Sequence, residues 1–136
     1  MGKQKRFGHP SEARLKLKRE FDAVFREGGK GVTEALVVYA KSNDRETNRL
    51  GLVVSKKNGK AVRRNRIRRL IREAFRLENP SLPFAYDIVC IPRAFGFPGG
   101  TTELRPLFKK SVLKAVKRFE ERKSGSSADR DRKEKM

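Results

Sequence analysis

Apolar residues along this chain recur with two different periods. Ile67, Leu70, Ile71, Ala74 and Phe75 stand at i, i+3, i+4, i+7 and i+8, a single stripe on an α-helix. Leu104, Leu107, Phe108, Ser111, Val112, Ala115, Val116 and Phe119 trace a longer stripe, with Pro106 in or near the first turn of that helix. An earlier stripe, Leu17, Phe21, Val24 and Phe25, predicts a helix from about Glu12 to Arg26, capped by Ser11 and stopped by Gly28-Gly29. Elsewhere the period falls to two. From Glu34 to Lys41, Val37 and Tyr39 face one way and Leu36, Val38 and Ala40 the other, which is strand alternation. Arg49 to Ser55 is the next strand, and the two are expected to pair as an antiparallel hairpin. Tyr86 to Pro92 is apolar almost throughout, the pattern of a central strand. Lys30 to Thr33 can supply a short fourth.

The order helix, strand, strand, helix, strand, helix is that of an α+β domain with helices packed on a small sheet. Asn58-Gly59 is a strong turn signal before the second helix, and Pro80 and Pro83 punctuate its end. Composition divides the chain into a basic, flexible segment over residues 1–10, one domain over 11–122, and a disordered mixed-charge tail over 123–136.

Charge changes the picture. The chain has 35 basic and 16 acidic residues, a net charge of +19 and a pI near 10.8. The last twenty residues hold eight bases and five acids, so most of the excess belongs to the folded part. Ten Lys or Arg lie between Lys56 and Arg76 against the one acid Glu73. Arg64, Arg66, Arg68, Arg69, Arg72 and Arg76 fall largely outside the apolar stripe. One face can therefore dock on a core while the other presents cations, and the polyanion that fits such a helix is nucleic acid. A basic turn leading into a helix N-terminus suits phosphate, since free N–H groups and the helix dipole both favour an anion. Asn65 has two readings: a tolerated first-turn residue, or an amide that bonds a phosphate, sugar or base beside two guanidinium forks. The first helix also has two, a face that is simply core or one that leaves a Phe edge open for base stacking.

Several classes are excluded or disfavoured. No apolar run is long enough to span a membrane, and the N-terminus lacks a signal-peptide core. The single cysteine, Cys90, rules out an intrachain disulfide and a cysteine zinc site, and its apolar run makes it a buried thiol. A protein-based nuclease would need clustered carboxylates or a His pair. The chain has one His, His9, and its acids are scattered. No nucleotide-binding Gly-rich loop appears. No catalytic residue, metal ligand or bound cofactor is therefore assigned, and the default setting is cytoplasmic.

The residues from Arg14 to Arg93 carry a closer resemblance. Leu50-Gly51-Leu52, Val54-Ser55-Lys56-Lys57, Gly59, Ala61-Val62, Arg64-Asn65-Arg66, Arg68-Arg69 and Arg72-Glu73-Ala74-Phe75 are similar to the signature of the bacterial ribonuclease P protein family. Arg14-Leu15, Glu20-Phe21 and Val24-Phe25 through Gly28 extend it upstream. The resemblance implies a four-stranded sheet in a ribosomal-protein-like sandwich with a left-handed β-α-β crossover, where physics alone would favour the right hand. It implies a protein subunit that assists a catalytic RNA in removing the 5′ leader of precursor tRNA. It places Lys60, Arg63, Arg64, Asn65, Arg66, Arg68, Arg69 and Arg72 near the catalytic RNA. It places Phe21, Phe25, Tyr39, Ser55, Lys56 and Lys57 on the leader. Magnesium is expected for the holoenzyme, and neither a membrane nor a protein partner is.

Two features depart from the family pattern: the extra charge of Arg63, and a loop from Phe84 to Gly100 rich in Phe, Pro and Gly, where Phe95 and Phe97 either contact RNA or, the favoured reading, pack on the core or the loop. The main alternative is a ribosomal or ribosome-assembly RNA-binding protein with no part in cleavage. A major-groove DNA binder is disfavoured because the core needs the apolar stripe of the basic helix.

Overall fold

The computed structural model describes residues 13–124. The predicted Ser11 cap, the basic segment 1–10 with His9, and tail residues 125–136 lie outside the described residues. The elements in order are α1 (Lys18–Glu27), β1 (Gly29–Val32), β2 (Leu36–Ser42), β3 (Arg49–Leu52), α2 (Ala61–Glu78), β4 (Tyr86–Pro92) and α3 (Thr101–Ser124). Short 3-10 turns cover Lys56–Asn58 and Asn79–Ser81. This is the mixed α+β, four-stranded arrangement expected from the sequence, with α3 running to Ser124, past the Lys123 where the tail was placed.

The sheet order is β1-β2-β4-β3. β1 and β2 are antiparallel, β2 and β4 are antiparallel, and β3 and β4 are parallel. The expected hairpin between β2 and β3 does not form, because β4 lies between them. Val89 and Cys90 are fully buried though they point to opposite faces of the sheet. A strand apolar on both faces gains most from a central place, with partners on both edges and helices above and below.

Two cores follow from the alternation. On one face, Leu36, Val38, Ala40, Leu50, Ile88 and Cys90 meet the stripes of α2 and α3. On the other, Leu15, Val24 and Val89 form a smaller core, ringed by Phe21, Tyr39, Val53 and Ile91. α1 therefore starts at Lys18 rather than near Glu12. Arg14 bridges to Leu50 in parallel fashion, and the Leu15 N–H donates to the Leu50 carbonyl at 3.0 Å. The open edge of β3 takes residues that local periodicity assigned to a helix. Glu20, in the first turn, then reaches back to accept the Lys16 and Leu17 N–H groups, both at 3.0 Å, satisfying donors a helix start would leave free.

β3 ends at Leu52, short of the predicted Ser55, although the Val53 N–H still bonds the Cys90 carbonyl at 3.0 Å. β1 is short because it is built for proximity. A Cβ on Gly31 would stand 2.3 Å from the Ser111 carbonyl oxygen and 2.6 Å from the Ala115 nitrogen. Only glycine lets α3 lie directly on this strand. The Thr33 and Ser111 hydroxyls close the contact at 2.8 Å. Phe97 packs against the larger core, as the favoured reading has it, but Phe95 does not: it is 88% exposed. The loop turns at Gly96, at φ +86°, and carries Phe95 outward.

Candidate nucleic-acid interface

α2 supplies the cationic surface. Its stripe of Ile67, Ile71, Ala74 and Phe75 is buried in the larger core, so the arginines point outward. Arg63, Asn65, Arg66 and Arg69 are exposed, while Arg64, Arg68 and Arg72 are half-buried. Several are held by neutral groups. Arg64 Nε donates to the Gly59 carbonyl at 3.0 Å, and Arg66 Nη2 donates to the Gly99 carbonyl at 2.6 Å. Arg68 Nη1 donates to Asn65 Oδ1 at 2.9 Å. Asn65 is the fifth residue of α2, beyond the first turn, and its amide oxygen orients a guanidinium one turn on. Among the described residues no acid pairs with any cation from Lys56 to Arg72. The first ion pair on this helix is Arg76 with Glu73, at 2.7 Å, near its far end.

Arg72 shows the consequence. Burial first, and then the charges of Arg14 and Arg68, push its guanidinium below its ordinary value. Three cations thus converge where the chain before α1 runs beside β3. Arg14 belongs to this cluster through its bridge to Leu50, a long-range contact that no local spacing in the sequence reveals.

The turn before α2 is pinned rather than loose. Asn58 is buried, and its Nδ2 donates to the Pro92 carbonyl at 3.4 Å and the Arg93 carbonyl at 3.5 Å. The Ser55 hydroxyl accepts the Lys57 N–H at 3.3 Å, capping the 3-10 turn. Lys56 and Lys57 are left exposed. Lys60 opens α2 with no side-chain cap and no acid in the first turn, so the positive end of the helix dipole faces a basic loop.

The second surface is the α1 side of the sheet. Phe25 meets Tyr39 edge-on, with ring centroids 5.1 Å apart and an interplanar angle of 87°. Phe25 is 38% exposed and Tyr39 half-buried. Lys30 Nζ stands 5.9 Å from the Tyr39 ring centroid, within cation–π range. Phe21 sits deeper. Its ring lies over Gly51, where a Cβ would be 2.7 Å from Cε2 and Cζ. Phe21, Phe25 and Tyr39 are thus brought together by α1 crossing β2, and Val53 joins them at the end of β3. Ser55, Lys56 and Lys57 follow along the chain. The arrangement offers ring faces and edges beside lysines, the requirements of sequence-tolerant single-strand binding.

The described residues contain no group of three His, Cys, Asp or Glu placed to hold a metal ion. Cys90 is fully buried, and burial raises its thiol far above the reactive range. No helix among them is long and apolar enough to cross a membrane.

Comparison with known proteins gives a consistent picture. The family model described as Ribonuclease P matches residues 9–120. The ribonuclease P protein component of Thermotoga petrophila is 46% identical over 80 residues, covering 59% of this chain and 68% of that one. That of Clostridium kluyveri is 40% identical over 104 residues, covering 75% and 93%. Among solved structures, the RNase P protein of Staphylococcus aureus superposes with a TM-score of 0.61 at 34% identity, covering 79% of this chain and 97% of that one. The RNase P protein from Thermotoga maritima gives 0.59 at 37% identity, covering 77% and 96%.

Proposed function

We propose, from the premise that this chain belongs to the ribonuclease P protein family, that it is a two-sided RNA clamp. α2 docks on the catalytic RNA, and the α1 face of the sheet grips the single-stranded 5′ leader of precursor tRNA. The chain is the accessory protein subunit of the ribonucleoprotein that processes tRNA 5′ ends. The family match does not favour the ribosomal or assembly alternative. Hydrolysis of the phosphodiester is the work of the RNA, and the described residues of this chain offer no acidic cluster to hold the magnesium that the holoenzyme is expected to need.

One observation carries the proposal: a helix docked by its apolar stripe, with the cations from Lys56 to Arg72 facing outward and unanswered by any acid among the described residues. Two RNA polyanions must approach each other in this reaction. Arginines interposed between them lower the repulsion, and the effect is salt-dependent through counterion release. Lys60, Arg63, Arg64, Asn65, Arg66, Arg68, Arg69 and Arg72 serve that contact. Phe25 and Tyr39 stack on leader bases, with Phe21 supporting them from below and Ser55, Lys56 and Lys57 guiding the backbone. The work is cytoplasmic and requires no membrane or protein partner.

The test is cleavage of a 5′-extended precursor tRNA at low magnesium by the protein alone, by ribonuclease P RNA alone, and by both. Activity in the mixture only is the expected result. Tight RNA binding without stimulation would overturn the proposal, and cleavage by the protein alone would place a catalytic site within it.

A further inference from the structure

A row of cations on α3 is not accounted for by α2 or by the leader face. They border a groove of about 650 Å³ between α3 and β1, lined by Lys30, Lys114, Lys117 and Arg118 against one acid, Glu121. A second hollow of about 440 Å³ adjoins it along α3, sharing Lys114 and Lys117 and adding Lys109 and Lys110. Lys110, Lys114, Lys117 and Arg118 stand at i, i+4, i+7 and i+8, one stripe of the helix. Among the described residues none of these four pairs with an acid. Lys114 donates to the Val32 carbonyl at 3.0 Å on the open edge of the sheet. Lys110, Lys117 and Arg118 have no such bond.

The fold creates this groove. β1 is the terminal strand of the sheet. Gly29 and Gly31 let α3 lie against it so closely that any Cβ would stand 2.3 Å from the helix backbone. The outer row of α3 therefore overhangs the sheet edge, and its cations line a concavity. A concave surface on which four cations outnumber one acid focuses its field on an anion. α2 packs against α3 in the same layer, and its stripe shares the larger core with Leu50 of β3 and Ile88 of β4. No aromatic residue lines the groove, so it can track a sugar–phosphate backbone but has no ring on which to stack bases. That chemistry fits base-paired RNA.

We propose that the β1–α3 groove is a second phosphate-binding surface, taking the backbone of a further base-paired segment of the RNA on which α2 docks. The inference rests on the α2 docking proposed above. The α3 cations share the helical layer with α2, across the sheet from α1, and only Lys30, which also stands over the Tyr39 ring, reaches the leader side; this assigns the groove to the catalytic RNA rather than to the tRNA.

The experiment measures binding of the full-length chain to ribonuclease P RNA across a salt series, with Lys110→Gln/Lys117→Gln/Arg118→Gln as the variant. Each lost phosphate contact removes about 0.7–0.9 from the log–log slope, so a slope shallower by about 2 is expected. Glu121→Lys should steepen it by about 0.9, a gain that no folding defect can imitate. A slope unchanged in the triple variant, while Arg68→Gln/Arg69→Gln makes it shallower, overturns the proposal. So does a loss confined to tRNA binding by the assembled holoenzyme. A slope unchanged in every variant overturns the α2 reading and this one together.

Discussion

Arg49 and Asp87, 38 residues apart in sequence, close a two-toothed ion pair on neighbouring parallel strands. Nε meets Oδ1 at 2.9 Å and Nη2 meets Oδ2 at 2.8 Å. The remaining Arg49 nitrogen, Nη1, reaches Glu20 Oε2 of α1 at 3.0 Å, and Asn43 Nδ2 donates to Asp87 Oδ1 at 2.8 Å. Their side chains are only 10% and 11% exposed. Removing Asp87 leaves the buried Arg49 with Glu20 alone to answer it, and breaking a buried pair costs up to about 3–5 kcal/mol. Asp87→Ala should lose stability on that scale in urea unfolding, and the Asp87→Ala/Arg49→Met double variant should recover a large part. Equal losses in single and double variants would refute the coupling.

The same cluster sets an acid limb. The Leu17 N–H, and then the Lys16 N–H and Arg49, hold the Glu20 carboxyl at about 2, below its ordinary 4.5, against the opposing effect of burial. The folded value lies below the unfolded one. Its contribution is therefore complete above about 4.5 and is lost as the pH falls from there toward about 2. Glu20→Gln should flatten that part of a stability–pH curve and leave the neutral region parallel to the parent.

Phe25 and Phe21 separate binding from folding on the leader face. Phe25→Ala removes a ring that is 38% exposed. It should weaken precursor tRNA by about 1–3 kcal/mol, the worth of one stacked base, and leave mature tRNA nearly unchanged. Phe21→Ala opens space over Gly51 and should lower the melting temperature as well. Equal losses for precursor and mature tRNA in Phe25→Ala would remove the ring from the leader contact.

On α2 the expectation is a steep salt response. About six phosphate contacts give a log–log slope near −4 to −5, and Arg68→Gln/Arg69→Gln should reduce its magnitude by about 1.4–1.8. A nearly flat parent slope in an RNA-binding titration would contradict the reading of this helix.

Gly31→Ala places a Cβ against the backbone of α3, 2.3 Å from the Ser111 carbonyl oxygen. Neither the strand nor the helix can yield cheaply there. Overpacking of this kind costs about 1–3 kcal/mol, measurable as a lower urea midpoint with an unchanged slope. An unaffected midpoint would mean that α3 does not rest on β1 as closely as described.

The elements of this protein were legible in the sequence because each is encoded locally. The Ile67-to-Phe75 stripe specifies α2 and its outward arginines, and the apolar run Tyr86 to Pro92 specifies a central strand. The long string around Arg64-Asn65-Arg66 specifies the family. Tertiary structure decided what depends on partners far along the chain. β4 separates β2 from β3, because burial on both faces outweighs the short connection of a hairpin. Arg14 and Leu15 leave the predicted first helix for the open edge of β3, where backbone pairing and one buried leucine replace two helical turns. Asn65 orients Arg68 and Arg14 comes to rest near Arg72, neither of which spacing alone could announce. Gly28-Gly29 reads as a helix stop and Gly31 falls in a candidate short strand, yet Gly29 and Gly31 are the floor on which α3 lies. Periodicity reports which side of an element is apolar; only the packing of those sides against one another decides which residues meet.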